Sequence, residues 1–135
     1  YARQITSNAK VLAEKLLSLD YQLVSGGTDT HLVLIDLSKE GISGKKAERR
    51  LEEAGITTNK NMVPFDQRSP MVTSGIRIGT PALTSRGMGI DAMKLIAGLI
   101  DSVIKNIDDD SVIKKVNEKV IELCDGFPLY PEFND

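Results

Sequence analysis

The sequence predicts an α+β domain, a small antiparallel or mixed sheet with helices packed on one face. Three observations point there. Long stretches toward both ends repeat apolar residues at the helical period, short stretches between them carry strand patterning, and the helices outnumber the strands in a mixed order.

Ile5, Ala9, Leu12, Leu16 and Leu19 recur at spacings of four, three, four and three, which places them on one face of a first helix. Tyr21-Gln22-Leu23-Val24 and the run from His31 to Leu37 then read as two strands of a hairpin. The intervening Ser25-Gly26-Gly27-Thr28-Asp29-Thr30 has glycines that can supply positive φ. Ser43 stands where a helix cap would, Ala47, Leu51 and Ala54 share a face, and Gly55 follows as a left-handed stop.

Gly75-Ile76-Arg77-Ile78-Gly79 alternates as a strand should, and Thr80-Pro81 starts a brief helix to Arg86 that Gly87 ends. Asp91 opens a longer helix with Met93, Ile96, Ala97, Ile100, Val103 and Ile104 on its buried side. Asp108-Asp109-Asp110 separates it from a last helix, capped by Ser111, in which Ile113, Val116, Val120 and Leu123 keep the spacing up to Asp125-Gly126. Residues 127–135, beginning Phe127-Pro128-Leu129-Tyr130-Pro131, read as an irregular tail.

Size and charge bound the function. A chain of 135 residues makes one domain, 1–135, with no linker or repeat dividing it. Seventeen Lys/Arg against nineteen Asp/Glu leave a formal net charge of −2, so no basic field draws in nucleic acid or anionic lipid. No apolar run approaches the roughly 18–20 residues of a membrane span, and the expectation is a soluble chain with neither nucleic-acid nor membrane partners. Cys124 is the only cysteine and His31 the only histidine, which puts an internal disulfide and the common Cys/His zinc sites out of reach. No metal is expected, and a reducing, cytoplasmic setting is. The chain opens at Tyr1 with no initiator Met and no secretory signature, from which we expect that processing or truncation removed the true start.

Arg77 is the most informative residue. Alternation sends Ile76 and Ile78 to one face of the strand and Arg77 to the other, between Gly75 and Gly79, which would leave room for an anion beside it. The planar guanidinium matches a carboxylate in a bidentate pair, so Arg77 reads as a carboxylate clamp, the alternative being a solvated strand arginine or a structural ion pair. The polar stretch Thr58-Asn59-Lys60-Asn61-Met62-Val63-Pro64-Phe65-Asp66-Gln67-Arg68-Ser69-Pro70 reads as a loop between elements. It suits binding because asparagine offers donor and acceptor to a heteroaromatic edge, but composition alone equally describes a plain connection.

His31 lacks a nucleophile motif and reads as structural. Ser25-Gly26-Gly27-Thr28 lacks the lysine of a phosphate loop and reads as a turn. Lys45, Lys46, Arg49 and Arg50, balanced by Glu48, Glu52 and Glu53, read as a solvated helix face. No nucleophile with its base, and no acid–base pair in a motif, is present.

Three segments taken together resemble the C-terminal domain of the serine hydroxymethyltransferases: Leu23 to Leu34, with its Gly26-Gly27-Thr28-Asp29-Thr30-His31 string; Asn59-Lys60-Asn61 with Val63-Pro64; and Thr73 to Gly87, with Ser74-Gly75-Ile76-Arg77-Ile78-Gly79-Thr80-Pro81. The resemblance covers essentially the whole chain. It implies the small C-terminal domain of a fold-type I transferase that uses pyridoxal 5′-phosphate to interconvert serine plus tetrahydrofolate and glycine plus 5,10-methylenetetrahydrofolate. It also implies a homodimer with active sites across the subunit boundary.

Carried onto this chain, Arg77 matches the arginine that holds the substrate α-carboxylate, and Asn61 matches an asparagine that contacts the folate ring system. Thr30 departs from the asparagine that many members carry there. The family's Schiff-base lysine lies in a threonine-rich motif ending in His-Lys, whereas here the one histidine, His31, precedes Leu32. No lysine of this chain takes that role, no catalytic residue is assigned, and the chain alone is expected to be inactive. The competing readings are a free-standing amino-acid-binding regulatory module and the small domain of another enzyme of the same fold type.

Overall fold

The computed structural model describes residues 2–24, 32–79 and 87–126. The expected helix at 81–86, the turn at 25–30, His31 and the tail from 127 lie outside the described residues. Helix α1 (Ala2–Ser18) leads into strands β1 (Gln22–Leu23) and β2 (Leu32–Asp36), followed by α2 (Gly44–Glu53), β3 (Asn59–Asn61) and β4 (Gly75–Gly79). Helices α3 (Ile90–Lys105) and α4 (Asp110–Asp125) complete the order. The four strands form one antiparallel sheet in the order β1-β2-β4-β3, the α+β arrangement expected, with β4 inserted between β2 and β3.

Alternation decides which face is covered. Val33, Ile35, Ile76 and Ile78 are buried in a single apolar core with Leu12 and Leu16 of α1, Leu51 of α2, Ile96 and Ile100 of α3 and Val116 of α4. Burying each such side chain contributes about 1.5–3 kcal/mol. A one-residue slip of β4 would expose both isoleucines and drive the Arg77 guanidinium into the helices, so the register is not negotiable.

Local chemistry sets the helix ends. Ser43 caps α2, its Oγ accepting from Lys46 N at 3.1 Å, and Gly55 follows the helix at φ 90° while its N–H returns to Glu52 O. At α4 the cap is Asp109 and not Ser111. The Asp109 carboxylate accepts from the N–H groups of Ser111 and Val112 and from Ser111 Oγ, because a charged acceptor two residues earlier serves more of the orphan donors than a hydroxyl does. Asn8, fully buried on α1, accepts from Gln4 Nε2 and donates to Met88 O at 3.0 Å, tying α1 to the approach to α3.

The basic face of α2 is not simply solvated. Arg50 is buried and donates to Ile107 O, Glu53 and Asp110 at 2.7–2.8 Å, while Lys46 meets Asp108 at 2.5 Å. The Asp108-Asp109-Asp110 run expected as a mere separator therefore docks on α2. Helix charge periodicity cannot reveal such a partner, because it lies some sixty residues away in sequence.

Two glycines in helices should respond in opposite ways. At Gly44 an added methyl would run into Thr73 Oγ1 and the carbonyl oxygen of Gly75, so Gly44→Ala is expected to cost about 3 kcal/mol. At Gly98, inside α3, a methyl meets nothing within 4 Å, and Gly98→Ala is expected to stabilise by about 0.5–1 kcal/mol. Urea denaturation of the two variants checks both signs.

Candidate functional site

The face of the sheet turned away from the helices is where chemistry is available. Residues opposite one another in an antiparallel pair share a face, and the observed register places Arg77 opposite Leu34 on β2 and opposite Asn59 on β3. Gly75 lies opposite Asp36 and Asn61. The open face therefore carries Gln22, Leu32, Leu34, Asp36, Asn59, Asn61 and Arg77, and across β3 and β4 it is polar.

Arg77 is exposed, and among the described residues its guanidinium makes no ion pair and no hydrogen bond. Asp36, the acid on the same face, instead accepts from Ser38 N at 2.9 Å. Among the described residues the guanidinium thus has no partner, and its side of the sheet is set by the isoleucines on either side of it in β4.

One expected feature differs. Gly75 is buried, and a Cβ there would meet Val63 Cγ1 at 2.7 Å, Asn61 O at 2.9 Å and Ile35 O at 3.0 Å. It serves close packing between β3 and β4 and leaves no open approach on that side of Arg77.

The second difference is Asn61, expected in a loop and found on β3. Its half-buried side chain donates from Nδ2 to Met62 O at 2.9 Å, which leaves Oδ1 free to accept among the described residues. By strand geometry a diagonal pair such as Asn61 and Arg77 stands roughly 7–8 Å apart, near enough to hold two ends of one ligand. Asn59 is nearer still, directly across from Arg77 and exposed. No local pattern marks it as a strand residue, since three polar residues in a row carry no alternation of hydrophobicity.

Beyond β3 the chain is organised by Asp66, which sequence reasoning passed over as one more loop residue. Its Oδ2 accepts from Val63 N at 3.2 Å and Ser74 N at 2.8 Å, and its Oδ1 from Arg68 N at 2.9 Å and Ser74 Oγ at 2.6 Å. Desolvation works against ionisation of this carboxyl. The Ser74 hydroxyl and the three backbone N–H groups outweigh it and hold the group down at about 2. The same loop contains Phe65 at φ 58°, 96% exposed, and Thr73 at φ 61°. Left-handed geometry at such residues costs on the order of 1–3 kcal/mol each and persists only where surrounding bonds impose it.

An apolar cavity of about 250 Å³ lies on the helical side, lined by Ile56, Ile78, Met88, Ile96, Leu123 and the free Cys124 among others. Among the described residues its lining includes no charged group. Among the described residues no group of three or more His, Cys, Asp or Glu could hold a metal ion, and no helix is long and apolar enough to cross a membrane.

Fold and face together define a class: an α+β domain whose helices cover one side of a sheet while the other carries polar amides and an arginine with no side-chain partner among the described residues. The family model for serine hydroxymethyltransferase matches residues 1–100, and the chain belongs to that family. All the open-face residues named above fall within the matched span.

The pH dependence of stability should report Asp66. Its folded-state value lies below the ordinary ~3.9, so its contribution is fully present above about pH 4 and is lost as pH falls through about 2. Denaturation of wild type and Asp66→Asn at several pH values is expected to show a gap at pH 5 that closes toward pH 2.

Proposed function

We propose that this chain is the C-terminal, substrate-orienting domain of a serine hydroxymethyltransferase, the enzyme that converts serine and tetrahydrofolate into glycine, 5,10-methylenetetrahydrofolate and water, and the reverse. The reading is supported above all by the exposed guanidinium of Arg77 on the open face, without a partner among the described residues, in a chain that belongs to this family.

Arg77 receives the amino acid's α-carboxylate. Two parallel N–H···O bonds from a rigid fork fix the carboxylate plane as well as its position, and charge-assisted bonds of this kind are worth about 1.5–3 kcal/mol even before water is excluded. Asn61 contacts the folate ring system, with its free Oδ1 as the acceptor. The two side chains then grip the two cosubstrates from adjacent strands, which is a matter of placing reactants and not of bond chemistry.

Pyridoxal phosphate supplies the electron sink in this family. The strand residues of the open face do not fit it as a holding site, since none is a lysine and Lys60 lies on the opposite face with its N–H bonded to Glu48. The cofactor's ring and phosphate are assigned to a larger domain outside this chain, within a homodimer in the cytoplasm. The chain by itself is accordingly inactive.

Arg77→Lys in the full-length enzyme keeps the charge but loses the fork. We expect kcat/KM for serine to fall on the order of 100-fold, with KM raised and kcat lowered together because misorientation persists into the transition state. Near-normal steady-state kinetics would refute the role. The isolated 135-residue chain with added pyridoxal phosphate should develop no yellow absorbance and cleave no serine. Tight glycine binding by that chain in calorimetry would favour the free-standing module instead.

A further inference from the structure

We propose that Asp66 is a positioning residue for the site: its carboxylate pins the end of β3 to the start of β4 and so sets where Asn61 stands relative to Arg77. The inference rests on the roles given above to those two side chains.

The need for a pin follows from β3 itself. A strand's register is normally specified by burying an apolar set on one face. Strand β3 is Asn59-Lys60-Asn61, at the edge of the sheet and with no apolar side chain, so burial within the strand does not distinguish one register from the next, and the nearest buried apolar side chain beyond it is Val63. β4 has no such freedom, because Ile76 and Ile78 hold it against the helices. Arg77 is therefore fixed by the core, and Asn61 has to be fixed by something else.

Two acidic side chains do this. Glu48 of α2 accepts from the outward-facing Lys60 N at 2.7 Å, which occupies the free edge of the strand. Asp66 closes the other end. Its Oδ2 bridges Val63 N and Ser74 N, the groups two residues past Asn61 and one residue before Gly75. Asn61 and Gly75 are the terminal registered pair of β3 and β4, so the bridge sits immediately beyond it.

Val63, held by this bond, is the side chain that fills the space beside Gly75. The other oxygen, Oδ1, takes Ser74 Oγ and Arg68 N and keeps the intervening loop folded back, with Phe65 and Thr73 held left-handed. Without the carboxylate Thr73 keeps its own bonds to Ser69 O, Gly44 N and Gly75 O, but nothing else among the described residues bridges Val63 N and Ser74 N.

Because β4 stays in place, the effect should fall unequally on the two cosubstrates. In the full-length enzyme, Asp66→Asn is expected to raise the KM for tetrahydrofolate about tenfold while the KM for serine changes less than about twofold. Ser74→Ala, which removes the hydroxyl's bonds to Asp66 Oδ1 and from Arg68 Nη1 but leaves the carboxylate on its backbone N–H groups, should produce a smaller shift in the same direction and covers the case in which the Asp66 variant does not fold.

A purely structural role would lower melting temperature and yield and leave the ratio of the two KM values alone, which would overturn the proposal. The cycle Asp66→Asn, Asn61→Ala and the double variant is the sharper test. The two substitutions should be strongly non-additive in the KM for tetrahydrofolate if Asp66 acts through Asn61, and additive effects would overturn it. If Asn61→Ala raises that KM while Asp66→Asn does not, the functional reading stands and the positioning role falls. If Asn61→Ala changes nothing, both fall.

Discussion

The candidate site depends on one constraint, the two-residue period of β4. Ile76 and Ile78 are buried in a core to which all four described helices contribute side chains, and each contributes enough burial energy that the strand has one acceptable orientation. Arg77, between them, faces outward as a geometric consequence and needs no partner of its own to hold it there. A guanidinium positioned through its neighbours' packing need not spend its donors on an ion pair, and among the described residues this one spends none.

The rest of the open face is held by polar bonds in place of burial. The N-terminal turn of α2 lies against residues 72–75, with Gly44 N donating to Thr73 O and Lys45 N to Val72 O, and the closeness of that approach is why residue 44 is glycine. Glu48, one turn further along, secures the edge of β3, and Asp66 secures its end. On its far side the same helix is anchored by Arg50 to Ile107, Glu53 and Asp110. α2 thus connects the covered core to the edge of the open face, and disturbance of its packing is transmitted to β3 before it reaches β4.

This division fits a domain that contributes orientation to a reaction whose cofactor is held elsewhere. A free arginine on an open sheet face is a weak clamp while water competes for its donors. The same arginine becomes a strong one when a second body covers it and lowers the local dielectric. Rigid presentation from strands, with the supporting bonds placed behind and beside the face, allows that covering body to approach without reorganising the site.

Much of this was legible in the residues themselves. The helical repeats, the caps at Ser43 and Gly55, the alternation around Arg77 and the family resemblance are local patterns, because period, capping and turn chemistry are written within a few neighbouring positions. The strand at Asn59–Asn61, the cap at Asp109 in place of Ser111, the tight packing at Gly75, the burial of Arg50 and the hub at Asp66 were not legible. In nearly all of these a polar or small residue takes its role from a partner reached through space, and composition gives such residues no direction. Sequence alone determined which residues turn inward and that Arg77 turns out. Only the tertiary structure decided which polar groups stand beside it, because hydrogen bonds between distant segments exist only once the core has brought those segments together.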